Sequence, residues 1–438
     1  DNFMVAGLGD LKMASVNVAN QINFIYVVAV NTVCGAGGIY LAQFKGAGKA
    51  EGMRHAYRFK VIFSSLTALI YGALCWAAPE KMLGLMTIGN SVQAGIVAEG
   101  SRYLRLTSFT LLPTALSMSL GTAFRETGFP KVPLIISAAA TLVNTAGNWA
   151  LIYGNAGAPR LEVAGAAIAT VIARFFELCI FLCYVYKNKP PFFVGFRSIH
   201  RIDRRLIKDI LGKSLMIFVS EASWISSETI LAALYNGRGG AEVVAGMAAG
   251  LTVANIFFLL FGGIWTAAAV IVGGNLGAGK LEEAKIKARW IQSGSAAAGC
   301  AAAVLGAALA AVLVPLVFSS LSETARGISL GLVYVIAAYL PVWCLLNAMF
   351  AISRAGGDAA MGMYTDLSVN TLLFVPGCFI LALFTSLNPV AMFALLKTTD
   401  FLKLLVARHF LNKERWVRNL TLPAAGGPVK APPCEKRG

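Results

Sequence analysis

Apolar runs of roughly 18 or more residues recur along the chain, interrupted by short intervals carrying Lys, Arg, Gly or Pro. That is the length a helix needs to cross about 30 Å of hydrocarbon. Full spans are predicted at residues 13–42, 59–79, 103–124, 132–153, 163–186, 214–236, 242–274, 291–319, 328–352, 362–385 and 388–408. Asp1–Leu8 reads as the tail of one further helix, so eleven spans and a remnant are expected, with most of a first span missing. The composition agrees: 57% hydrophobic and 13% charged, against about 25% charged in a typical soluble domain. The fold class is an all-α polytopic membrane protein.

The net charge is +16, and its placement decides what it means. Five Lys/Arg fall in 45–60, two at Arg125 and Lys131, eight in 187–213, four in 280–289, one at Arg354 and seven from Arg408 onward, twenty-seven in all. The alternate loops carry one each: Lys12, Lys81, Arg160, Arg238 and Arg326. Basic loops resist translocation, so this alternation is a topology signal and not a nucleic-acid stripe. Both termini are expected in the cytoplasm. The stretch 187–213, opened by Pro190 and Pro191 after the sixth span, is read as a cytoplasmic linker. It divides a lobe at 1–186 from a lobe at 214–410, with a cytoplasmic tail at 411–438.

The two lobes carry a repeat. LAQFKGAGKAEGMRHAYR (Leu41–Arg58) resembles VGGNLGAGKLEEAKIKAR (Val272–Arg289), and TAFRETGFP (Thr122–Pro130) resembles AISRAGGDA (Ala351–Ala359). Arg125 pairs with Arg354 and Gly128 with Gly357, at an offset near 230 residues, in equivalent basic loops. The halves therefore share one orientation, a parallel repeat about an axis along the membrane normal. Twelve spans in two such six-helix lobes imply a transporter that rocks about a central cavity. The GAGK tetrads at Gly46–Lys49 and Gly277–Lys280 lack the longer phosphate-loop pattern and its preceding strand. They are read as glycine helix caps followed by a basic turn.

Several landmarks in order resemble the multidrug and toxic compound extrusion (MATE) family. They are DNFMVAGLGD at the start, ANQI and the Gln43-to-Gly48 run, Arg125–Pro130, NTAGNWALIYG (Asn144–Gly154), VAGAAIATVIAR (Val163–Arg174) and ERWVRNLT (Glu414–Thr421). The resemblance implies twelve helices in two lobes around a substrate cavity. It also implies export of cationic or amphipathic compounds against a Na⁺ or H⁺ gradient. It assigns a cation-responsive role to Asp1, with polar partners at Asn144 and Asn148. Many relatives have a carboxylate where Asn148 stands, so this site would hold one acid. SEASW (Ser220–Trp224) resembles the segment in which relatives carry a Glu, here Glu221.

Ionisable groups inside spans cost about 2.5–3.5 kcal/mol each on insertion scales, so each needs a partner or a job. Asn17, Asn20 and Gln21 share one helical face near the outer end of their span, and Asn144 and Asn148 lie one turn apart in theirs. Together with Asp1 they form either a polar pocket or interhelical hydrogen-bond glue. Glu221 and Glu228, seven apart, straddle the middle of one span and can exchange protons. Lys397, Asp400 and Lys403 follow at i, i+3, i+6 in the last span, with Lys397 deep enough to reach Glu221 or Glu228 and Lys403 able to snorkel to the cytoplasmic side. Asn255 is a further candidate for the cavity. Asp366 is read as either a helix N-cap or a functional acid, and Arg174 with Glu177 as a structural pair. Pro113, Pro341, Pro376 and Gly262-Gly263 are expected to interrupt their spans, as hinges or as tolerated breaks.

Eight scattered Cys without CxxC and three separated His give no ligand set for a metal, haem or zinc. No cofactor and no enzymatic constellation is expected, only Na⁺ or H⁺ as a coupling ion. One charge crossing about 100 mV supplies about 2.3 kcal/mol, enough for roughly a fifty-fold gradient of a neutral solute. The expected function is a secondary antiporter exporting organic cations or amphipathic drugs by alternating access. The alternative is a flippase for a lipid-linked saccharide. Expected partners are a small-molecule substrate and the lipid bilayer, with no nucleic acid, in a monomer. The expected location is a bacterial inner membrane.

Overall fold

The computed structural model describes residues 10–87, 93–195, 198–199, 201–238, 240–318 and 321–422. Asp1 and Cys434 lie outside them. Eleven helical rods are described: α1 Asp10–Gly46, α2 Ala50–Ala77, α4–α5 (Gln93–Thr107 and Leu111–Glu126), α6 Lys131–Tyr153, α7 Glu162–Asn188, α8 Arg204–Arg238, α9–α10 (Ala241–Ala267 and Gly274–Gly277), α11 Leu281–Val317, α12 Glu323–Ala355, α13–α14 (Ala360–Val369 and Val375–Phe384), and α15–α16 (Pro389–Lys397 and Thr399–Asn412). A short α3, Pro79–Met86, lies between α2 and α4. The rods match the eleven predicted spans one for one.

Apolar side chains face outward as well as inward. Leu259, Leu316, Leu372, Leu383 and Phe384 are each at least 70% exposed, a pattern that requires lipid as solvent. Among the nine described helices long and apolar enough to cross a membrane, the best-covered apolar stretch is in α1, 56% buried, and the least covered is in α11, 17% buried. So α1 is the axial helix and α11 the peripheral one.

The parallel repeat is written in the backbone. At the end of α1, Lys49 N donates to Phe44 O (3.0 Å) and Gly48 N to Lys45 O (3.0 Å); at the end of α10, Lys280 N donates to Asn275 O (2.9 Å) and Gly279 N to Leu276 O (3.1 Å). Gly48 and Gly279 take φ of +68° and +78°, the left-handed cap that glycine adopts without strain. The second pair behaves alike: Phe129 N to Phe124 O (2.8 Å) and Asp358 N to Ser353 O (3.0 Å). The GAGK tetrads are helix caps.

Four expectations need correction. The link between lobes is shorter than 187–213, because α7 runs to Asn188 and α8 starts at Arg204. Lys189 closes α7 in a left-handed conformation ahead of Pro190, while Arg204, Arg205 and Lys208 extend the next helix beyond its apolar part. Likewise α2 starts at Ala50, so Arg54, Arg58 and Lys60 are helical and not in a loop. Gly262-Gly263 does not break α9; the irregularity is a π-turn at Ala268–Gly273 just after it. Pro341 sits inside an uninterrupted α12, whereas Pro113 follows a 3-10 turn at Ser108–Thr110 and Pro376 a π-turn at Asn370–Phe374.

Candidate functional site

The two lobes meet at the end of the bundle that carries the basic segments. A Cβ on Gly46 of α1 would run into the carbonyl of Gly274, and one on Gly277 of α10 into the carbonyl of Gln43. Gly46 and Gly277 are equivalent in the repeat, as are Gln43 and Gly274, all by 231 residues. The seam is therefore a reciprocal crossing about the pseudo-two-fold axis, and only glycine permits its closeness.

The segment after α16 locks this seam. Gln43, fully buried, donates from Nε2 to Ala355 O (2.8 Å) and Arg418 O (3.2 Å), and its Oε1 accepts from Leu420 N (2.7 Å). Asn419 Nδ2 donates to Gly277 O (3.1 Å), and Lys49 Nζ to Thr421 O (2.8 Å). Trp416 is buried with its carbonyl against Gly356. Residues 416–421 thus tie α1 to α10 and α12.

Beyond the seam, the lobes enclose a cavity of about 540 Å³. One stripe of α1 lines it through Val28, Asn31, Thr32, Gly35, Gly38, Ile39 and Ala42, the i, i+3, i+4 spacing of one helix face. The opposing wall is Ile217 and Glu221 of α8, Gly262, Trp265 and Thr266 of α9, and Ala351, Arg354 and Ala355 of α12; α5 adds Thr122, Arg125 and Glu126. The size suits a drug-sized molecule.

Charges in and behind these walls are mostly paired. Glu221 accepts from Arg354 Nη2 at 3.0 Å, and the Arg354 guanidinium lies over Trp265, 4.6 Å from the ring centroid. In the other lobe Lys60, with no exposed surface, donates to Glu126 at 2.6 Å. Gly37 and Gly38 of α1 leave the room this pair occupies, since a Cβ at either would press on Lys60 or the Glu126 carboxylate. A polar chain leads from the cavity wall into the second lobe. Trp265 Nε1 donates to Asn347 Oδ1 (3.0 Å), Asn347 Nδ2 to Trp343 O (2.9 Å), and Trp343 Nε1 to Asp400 Oδ2 (2.8 Å). Lys403 then lies between Asp400 (3.6 Å) and Asp366 (3.4 Å), and Ser220 Oγ donates to Asp366. Lys397 pairs with Glu228 and is surrounded by the rings of Phe374, Phe393 and Trp343 at 5.1, 5.1 and 5.7 Å.

The expected site residues fall into separate places. Glu221 lines the cavity. Glu228, Lys397 and Asp400 belong to the charge network inside the second lobe, where Lys397 has taken Glu228 and not Glu221. Lys403 does not snorkel: it is buried between two aspartates that lie at its own depth. Asp366 is no N-cap, because α13 begins six residues before it and the carboxylate faces α16. In the first lobe Asn148 Nδ2 donates to Asn144 Oδ1 (3.2 Å) and Asn144 Nδ2 to Thr170 Oγ1 (3.3 Å), while Asn20 accepts from Tyr103 at 3.4 Å. Asn17 is half-buried, and Gln21 and Asn255 are exposed. Arg174 and Glu177 form the expected pair at 2.8 Å, with Ser137 on the second carboxylate oxygen.

Reading the sequence missed Lys60, Glu126, Arg125 and Arg354 as residues in or behind the cavity wall. The repeat held the signal for two of them: Arg125 and Arg354 are equivalent positions next to the pseudo-two-fold axis, and such positions approach one another.

A two-lobed helical membrane bundle around an interlobe cavity is a transporter architecture, and comparison with known proteins agrees. The MatE family model matches residues 1–150 and 217–380, and the chain belongs to that family. A probable multidrug resistance protein NorM of Geobacillus kaustophilus is 29% identical over 262 residues, covering 57% of this chain and 56% of the relative. A probable NorM of Neisseria meningitidis is 25% identical over 311 residues, 70% of this chain and 65% of its own length. The matched part is thus under two thirds of either relative. Among solved structures, a MATE transporter in the straight conformation superposes with a TM-score of 0.82 at 16% identity, covering 94% of this chain and 90% of the other. An outward-facing multidrug resistance MATE family transporter gives 0.79 at 15%, with the same coverage. The shared architecture is a twelve-helix fold.

Proposed function

We propose that this protein is a secondary active exporter of amphipathic small molecules, working by alternating access of the lobes at 1–186 and 214–410. The observation that carries this reading is the cavity of about 540 Å³ between the lobes, sealed at one end by contacts made by the two halves and the segment after α16. By the positive-inside rule that sealed, basic end would face the cytoplasm, and both termini would lie on that side. In this state the cavity is closed toward the cytoplasm. Opening the seam and closing the far end would move a bound molecule's access from one side to the other. Both lobes belong to one chain, so the cycle needs no second copy.

Inward flow of Na⁺ or H⁺ would drive the cycle. Glu221 is the acid placed to couple it: a proton or cation on its carboxylate competes with Arg354 for the same oxygens and changes the cavity wall that the substrate meets. Asp1, with Asn144 and Asn148 in the first lobe, is proposed as a second coupling site. A flippase for a lipid-linked saccharide would use several unpaired cavity arginines, whereas of the two arginines among the described lining residues Arg354 is engaged by Glu221, which leaves Arg125 alone without an ion pair.

The test is uptake of a fluorescent amphiphile into inside-out vesicles under separately imposed Na⁺ and pH gradients. Accumulation driven by one of them supports the exporter and names the ion. No accumulation under either overturns it.

A further inference from the structure

Among the described residues, four ionisable side chains line the cavity, and three of them are engaged. Glu126 is held by Lys60 at 2.6 Å, and Glu221 holds Arg354 at 3.0 Å. Arg125 makes no hydrogen bond or ion pair with a described side chain. Counting Lys60, three cations face two anions at this place, and the excess positive charge is on Arg125. A neutralising partner was available in the repeat: Arg354, its equivalent, has Glu221. Arg125 has Glu126 as a chain neighbour and acts on it through space, but the ion pair with that carboxylate is made by Lys60, which has no exposed surface of its own. Thr122, one turn before Arg125, and Asn31 of α1 also line the cavity and add hydrogen-bonding groups to its wall. Trp265, whose ring carries the Arg354 guanidinium on one face, adds aromatic lining from the opposite lobe.

A guanidinium is a planar fork of donors matched to a two-oxygen acceptor. It is held here where a bound molecule would replace the water around it. We propose that Arg125 is an oxyanion-docking residue, so the preferred substrates carry a carboxylate or similar acidic oxygen group on an aromatic or apolar body. This rests on the exporter reading and narrows its substrate class. It departs from the cationic class implied by the family resemblance, because both carboxylates that line the cavity already have cations.

The test is equilibrium binding of a matched dye pair to the purified full chain in nanodiscs, followed by fluorescence anisotropy. Rhodamine B carries a free carboxylate; rhodamine 6G has it esterified. A charge-assisted hydrogen bond contributes about 1.5–3 kcal/mol, so Arg125→Gln should weaken rhodamine B by at least about tenfold. Rhodamine 6G should stay within about twofold, and Arg125→Lys, which keeps the charge but loses the fork, should bind rhodamine B more weakly than the parent and more tightly than Arg125→Gln. Equal weakening of both dyes, or no change in either, would overturn the assignment, and Arg125→Lys controls for a folding defect. Repeating the titration with phosphatidylglycerol in the nanodiscs separates two sources of the oxyanion. Competition that depends on Arg125 assigns the site to a lipid headgroup as well, and its absence assigns it to the soluble amphiphile. Binding needs no gradient, so a protein that binds in this way yet accumulates nothing would refute the exporter and leave the docking residue in place.

Discussion

Replacing Gln43 by Ala removes the side chain that joins three backbone groups across the seam: Ala355 O, Arg418 O and Leu420 N. In the sealed state these groups sit around a fully buried side chain, and without it they lose their partners. Once the seam opens, water satisfies them. The substitution therefore raises the free energy of the sealed state relative to the open one. At about 1 kcal/mol net per hydrogen bond, three bonds give about 3 kcal/mol, or about a hundredfold in the equilibrium between the two states. The contacts of Asn419 with Gly277 and of Lys49 with Thr421 remain, so the seam is weakened and not abolished. The assay is labelling of Thr266→Cys, on the cavity wall, by a membrane-impermeant maleimide applied from the basic side, in a background without other cysteines. Its rate follows the open population and should rise toward that hundredfold in Gln43→Ala. An unchanged rate, in protein that melts at the parent temperature, would refute the latch.

Further outcomes follow from the same geometry. Gly277→Leu forces a side chain into the Gln43 carbonyl and should raise the labelling rate at least as much as Gln43→Ala. Lys60→Met strands the buried Glu126 and should cost about 3–5 kcal/mol, read as a lower melting temperature; adding Glu126→Leu should restore most of it. Lys403→Met leaves Asp366 and Asp400 facing each other without their shared cation. It should destabilise the second lobe by a similar margin, and Asp366→Asn in the same chain should recover part of the loss.

What the sequence disclosed and what it hid divide along a physical line. Span positions, the repeat and the cap glycines are local properties, set by runs of apolar residues and by short motifs such as Gly46–Lys49, and all of these stand in the structure. Pairing between helices is not local. Lys60 ends a run of basic residues that begins at Lys45, so it reads as one more loop charge. Only the approach of α2 and α5 past the notch at Gly37 and Gly38 shows it buried against Glu126. Lys403 sits one turn past Asp400 and looked free to reach the surface. The depth of Asp366 on a neighbouring rod keeps it inside. Glu221 was legible as an acid inside a span, but its partner was not, because Arg354 is 133 residues away in sequence and looked like a loop residue. Arg174 with Glu177 was legible because both lie on one helix at i, i+3.

In the proposed cycle an ion gradient drives export through Glu221. This coupling is tested most directly by comparing the parent chain with Glu221→Gln in inside-out vesicles, using the gradient that energises the parent. Two quantities are measured: dye accumulation under the gradient, and dye exchange with no gradient imposed. Glu221→Gln should still exchange dye across the membrane but no longer concentrate it. Accumulation equal to that of the parent would rule out coupling through Glu221.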